Sequence, residues 1–143
     1  MKTFIFTLAV FISTAFESVR AASPEEEANF LTAVRQAFDK QDTNALFTLT
    51  CWDRVPDRFI KSAKNLNMRE IAWEISDLTL VNPDPNTHRQ GLKGNDGVTY
   101  LPNLPVIKLL KIVFVKDGRF QPETRPVGEK DGKLYLLENA PVE

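Results

Sequence analysis

Cys51 and His88 are the single cysteine and the single histidine of this 143-residue chain. Together they are the one thiol–imidazole pair its composition allows, and such a pair could activate a thiolate for nucleophilic attack. Their settings speak against it. Cys51 stands between Thr50 and Trp52 in an apolar stretch, where a thiol reads as a small buried hydrophobe. His88 lies among turn formers. One histidine excludes zinc sites built on two or three, and no spare cysteines replace them. A Gly-x-Ser-x-Gly nucleophile elbow is absent, as are a phosphate-cradling loop and a dinucleotide fingerprint. Gly94-Asn95-Asp96-Gly97 has part of the look of a calcium loop, but it lacks the alternating acids and the closing Glu and reads as a turn. These residues imply no metal and no cofactor.

The first residues of the chain read as its address. Lys2 is followed by an uncharged run, Phe4 to Phe16, and then by Val19-Arg20-Ala21. This is the charge, apolar stretch and small-residue order of a secretory signal. The run is well short of the ~20 residues a membrane-spanning helix needs. Cleavage is expected between Ala21 and Ala22, giving a signal peptide over 1–21 and one domain over 22–143, exported to a periplasm or secreted. Removing Lys2, Arg20 and Glu17 from 18 basic and 19 acidic residues leaves 16 and 18. That balance excludes a dedicated nucleic-acid binder, and no later segment is apolar enough to cross a membrane. A lone cysteine allows no intrachain disulfide, so the domain must be held by its core.

The elements that position any chemistry are then legible. Ser23-Pro24-Glu25-Glu26 opens a helix, with Ser23 as cap, Pro24 at the first position and Glu26 completing a capping box. Phe30, Leu31, Val34, Ala37 and Phe38 form its apolar face. A short second helix starts at Thr43-Asn44. A third starts at Val55-Pro56-Asp57, with Phe59, Ile60, Ala63 and Leu66 as its apolar side and Arg58, Lys61 and Lys64 on its wet side. From Ile71 to Val81 the period is two, with Ile71, Trp73 and Ile75 alternating against Ala72, Glu74 and Ser76. Residues 82–97 read as a loop, the least structured part of the domain. Strands are expected at 98–101, 106–116, 124–130 and 133–138. Asp117-Gly118 and Asp131-Gly132 are hairpin signals, which makes the sheet antiparallel. Helices first and strands second make an α+β domain, with helices covering one face of a curved sheet.

In element order and length the chain resembles the nuclear transport factor 2-like superfamily, a cone of helices packed into a bent antiparallel sheet (the cystatin-like arrangement). Two stretches are similar to exported bacterial members: Leu46 to Pro56, which contains Cys51-Trp52-Asp53-Arg54, and Pro126 to Tyr135, at the last hairpin. The resemblance leaves function open, because the superfamily includes isomerases, dehydratases, polyketide cyclases, carriers and binding domains. It implies that an enzyme would use a carboxylate inside the cone, its pKa raised by an apolar cavity. The candidates are Asp53, Glu74 and Asp77, with the phenols Tyr100 and Tyr135 as partners. Each has a structural alternative. Asp53 can cap or orient the third helix. Glu74 and Asp77 fall on opposite faces of one strand, so at most one looks inward. The tyrosines can fill core space, and Trp52 and Trp73 read as core before ligand contacts. The reading favoured is a non-catalytic exported binder of a small apolar ligand or a partner protein, with Trp52, Trp73, Tyr100 and Tyr135 as its contact residues. The alternative is a small cavity enzyme of the isomerase, dehydratase or polyketide cyclase kind. Self-assembly through the outer sheet face, as a homodimer, is compatible with both.

Overall fold

A computed structural model describes residues 22–85 and 91–142. The signal segment with Ala21, and His88, lie outside the described residues. The chain forms an α+β domain. Helix α1 is Pro24–Asp39, α2 is Thr43–Thr48 and α3 is Asp57–Glu70. The strands are β1 Thr50–Cys51, β2 Glu74–Val81, β3 Leu92–Lys93, β4 Thr99–Pro102, β5 Lys108–Lys116, β6 Arg119–Lys130, β7 Lys133–Leu137 and β8 Asn139–Pro141. One curved, unclosed sheet has the order β1-β7-β6-β5-β2, and a smaller one the order β3-β4-β8. The pairing is antiparallel except at β1, which runs parallel to β7 and sets Thr50 beside Leu136 and Cys51 beside Leu137. That short pairing joins residues more than eighty positions apart, and no local pattern announces it.

Local chemistry explains most element ends. Ser23 Oγ accepts from the Glu26 amide at 3.1 Å, as the cap reading requires. The Glu26 carboxylate does not turn back to Ser23 to close a capping box. It accepts from the Leu134 amide on β7 at 3.0 Å, tying the helix start to the sheet. Helix α2 starts at Thr43, as the sequence suggests, and Asp42 caps it, with its Oδ1 accepting from the Ala45 amide at 2.9 Å. Pro56 starts α3 without a side-chain cap, so Asp53 is not its cap. Both Asp-Gly turns have positive φ at both residues, 50° and 72° at Asp117-Gly118 and 54° and 77° at Asp131-Gly132. This is the tight turn whose twist matches a hairpin.

Strand β6 begins directly after the first of these turns, five residues earlier than its apolar pattern suggests. It contains Pro122 and Pro126, which a central strand would not tolerate. Its pairing resolves this. Residues 119–127 pair with β5, but β7 joins only from Val127 onward, so both prolines sit where one side of the strand is open. The loop expected over 82–97 is corrected in its second half. Leu92–Lys93 pairs with β4, and Gly97, at φ 78°, makes the turn between them.

The core fills the helix-covered face of the sheet. Phe30, Val34 and Phe38 from α1 and Leu46 from α2 meet Leu110, Ile112 and Phe114 on β5, Val127 on β6 and Leu134 and Leu136 on β7. Phe114 packs against Phe38 and Trp73, with ring centroids 5.3 and 5.5 Å apart. Cys51 is buried, in keeping with its reading as a small hydrophobe.

Candidate functional site

Among the described residues, the inner face of the sheet carries a polar cluster centred on Arg125. Arg125 on β6 stands opposite Leu110 of β5, a fully buried residue. Its guanidinium donates to the Glu70 carboxylate at the end of α3 and to Glu123 Oε1 at 2.5 Å, and it reaches Asn67 Oδ1 at 3.5 Å. Glu138 comes two residues after Leu136, and Arg125 two before Val127. The β6–β7 register therefore carries on to bring Glu138 towards Arg125, and the two interact electrostatically. One cation thus faces three carboxylates. Burial pushes the Glu70 carboxyl above the ordinary glutamate value of 4.5, against the pull of Arg125. Glu138 is pushed up in the same way, chiefly by burial.

Glu138 lines a cleft of about 270 Å³ between α3 and β3. Its walls are Phe59, Ala63, Leu66 and Leu92, and Ser62 and Asn139 complete the lining. Helical periodicity explains the α3 side: residues 59, 63 and 66 recur on one stripe, and 67 and 70 continue it towards Arg125. Polar groups and apolar surface therefore meet at one opening. The arrangement can hold an apolar body and offer it a carboxyl group. The same carboxyl could exchange a proton with a bound molecule.

Comparison with known proteins identifies no relative. No family model matches the chain, and no curated protein or solved structure does so either. The site is read from its own geometry.

The residues singled out from the sequence lie elsewhere. Glu74 and Asp77 are both exposed. The pairing of β2 with β5 shifts between Ile75 and Asp77, and this bulge returns Asp77 to the outer face that Glu74 already occupies. Strict alternation would have sent one of them inward. Asp53 is exposed and bound to Lys130, which holds its carboxyl below the usual range. Tyr100 is buried, with its ring edge-on to Phe59 at 4.9 Å. Its hydroxyl donates to Asp96 at 2.7 Å, and Arg58 binds both, so this trio fastens the 94–97 turn to α3. Hydrogen bonding from Arg58 and Tyr100 holds Asp96 far below the usual carboxylate range. Trp52 stacks on Phe47 at 4.4 Å and donates its indole N–H to the Phe47 carbonyl at 2.8 Å. Trp73 is half-buried against Phe114, with Lys116 Nζ 4.6 Å from its ring centroid. Tyr135 is half-buried opposite Gly128. Among the described residues no ring contact links any two of these four aromatics, and no group of His, Cys, Asp and Glu is placed to hold a metal.

The pH dependence of stability follows from the shifted groups. Glu70 and Glu138 have raised pKa values, so their contribution is complete below about 4.5, the unfolded value, and is lost as pH rises through their folded values. Asp96 and Asp53 have lowered values. Their contribution is complete above about 3.8 and is lost as pH falls through their folded values. The melting temperature is expected to rise as the pH is lowered from 7 towards about 4.5 and to fall below about pH 3.5. Glu70→Gln with Glu138→Gln should flatten the upper limb and leave the lower one. Melting curves across that range check both limbs.

Proposed function

We propose that the chain is an exported, non-catalytic binding domain for a small, mainly apolar molecule, held in the cleft between α3 and β3. The observation that carries this reading is the composition of that cleft: four apolar walls around one carboxyl group, Glu138, whose surroundings favour its protonated form. Such a site suits an apolar body with a polar head that exchanges hydrogen bonds with the carboxyl. Export rests on the order of Lys2, Phe4 to Phe16 and Val19-Arg20-Ala21. No helix among the described residues is long and apolar enough to cross a membrane.

A second reading is a cavity enzyme of the isomerase, dehydratase or polyketide cyclase kind, with Glu138 in place of Glu74 or Asp77 as the proton-transfer group. It is favoured by the same raised carboxyl beside Arg125. One substitution separates the two. Glu138→Gln keeps shape and hydrogen bonding but cannot transfer a proton. A dansylated alkylamine titrated into the wild type is expected to bind one to one with a rise in emission. Glu138→Gln should bind it within about threefold, while Leu66→Asp, at a wall position open to solvent, should abolish binding. Turnover of any enolisable ketone by the wild type, lost by about 10²–10⁴-fold in Glu138→Gln, would establish the enzyme instead. Equal binding by Leu66→Asp would remove the cleft from the account.

A further inference from the structure

The opposite flank of α3 carries a second concavity with different chemistry. It lies between α2 and α3, has a volume of about 300 Å³ and is lined by Thr43, Asn44, Phe47, Lys64, Asn67 and Met68. No carboxylate lines it. Lys64 Nζ sits 4.4 Å from the Phe47 ring centroid and, among the described residues, makes no ion pair. Phe47 is held from its other side by the Trp52 ring.

Asn67 is the informative residue. It is 6% exposed and lines the pocket. Its Oδ1 faces the Arg125 guanidinium at 3.5 Å, and a guanidinium can only donate, so the orientation of the amide is set. The Nδ2 donors are then left over, and among the described residues no atom accepts from them. An amide whose Nδ2 donors stay open to solvent, the Lys64 ammonium, a threonine hydroxyl and the Asn44 amide line one small volume. The aliphatic and aromatic surface of Met68 and Phe47 completes it, with Met68 65% exposed.

We infer that this pocket binds the carboxylate head of a small amphiphilic acid. The ammonium of Lys64 and the Nδ2 donors of Asn67 supply charge-assisted hydrogen bonds to the carboxylate oxygens. The apolar part of the ligand lies along Phe47 and Met68. Charge complementarity selects the class: a pocket with one cation and no acid favours an anion over the amines or neutral donors suited to the Glu138 cleft. The inference stands apart from the proposed function, because the two sites use different residues of α3.

The reporter is built in. The chain has two tryptophans, so Trp73→Phe leaves Trp52, stacked behind the pocket, as the only indole. Octanoate titrated into Trp73→Phe is expected to change the Trp52 emission saturably, with one site by calorimetry. Neutral octanamide should bind at least tenfold more weakly. In the same background Lys64→Gln should weaken octanoate about tenfold or more, the scale of one lost charge-assisted bond, and Lys64→Arg should restore most of it. Asn44→Asp, which adds a carboxylate to the lining, should weaken octanoate and spare octanamide. Lys64 and Asn44 are exposed, so these variants should fold normally. Leu66→Asp in the other cleft should leave octanoate binding unchanged. Equal affinity for octanamide, indifference to Lys64→Gln, or neither heat nor emission change at millimolar octanoate would each overturn the inference.

Discussion

Replacing Arg125 by alanine is expected to lower stability by about 3–5 kcal/mol at pH 7, the scale of a broken buried ion pair. Arg125 lies on the inner face of the sheet with its side chain 14% exposed, and Glu70 opposite is 6% exposed. Truncation removes the cation that Glu70, Glu123 and Glu138 share. It leaves carboxylates that burial already disfavours. The penalty should shrink on acidification, because those groups then fold as neutral acids. A double change to leucine at 70 and 125 should recover much of the loss, since an apolar pair removes both the charge and its counter-charge. Urea unfolding of the single and double variants at pH 7 and pH 5 measures all three effects. A single variant as stable as the wild type at both pH values would show that Glu70 does not depend on Arg125.

Phe114→Ala should cost a similar amount, about 3–5 kcal/mol. Phe114 is the largest fully buried side chain, with 0% exposure. Its ring lies between Phe38 on α1 and Trp73 at the entry to β2, so removing it leaves a cavity at the contact of helix layer and sheet. The cost depends on how far those two rings collapse into the space, which sets its place within the range. A red-shifted tryptophan emission should accompany the loss, as Trp73 gives up its aromatic neighbour. Denaturant unfolding with an unchanged slope would assign the effect to the native core. Trp73→Ala should cost less, because Trp73 is only half-buried.

The true polar residues of the inner face were partly written in the sequence. Glu70 continues the helical stripe of Phe59, Ala63 and Leu66. Arg125 shares the alternation phase of Val127, and Glu138 that of Leu134 and Leu136. Each charged residue sits in an apolar phase, a signal that is easily taken for the end of an element. Glu74 and Asp77 drew attention because they lie within a clear alternating strand. The bulge at Ile75–Asp77 then cancelled the inference that one faces inward. A bulge leaves the local composition unchanged, so alternation alone could not reveal it.

What the sequence by itself determined is what depends on neighbours along the chain. Ser23 caps α1 through an amide three residues away. The apolar stripe of α1 follows from a period of 3.6, and both Asp-Gly turns follow from two adjacent residues that accept positive φ. Their sum was enough for the α+β class and for helices covering an antiparallel sheet. Tertiary structure decided the rest, because those contacts join positions with no sequence relation. Asp42 could cap α2 in isolation, but Glu26 found its acceptor role only when β7 arrived 108 residues later. Arg125 became the centre of an acid cluster only when the end of α3 crossed over β6, and burial there, which no residue carries alone, raised Glu70 and Glu138.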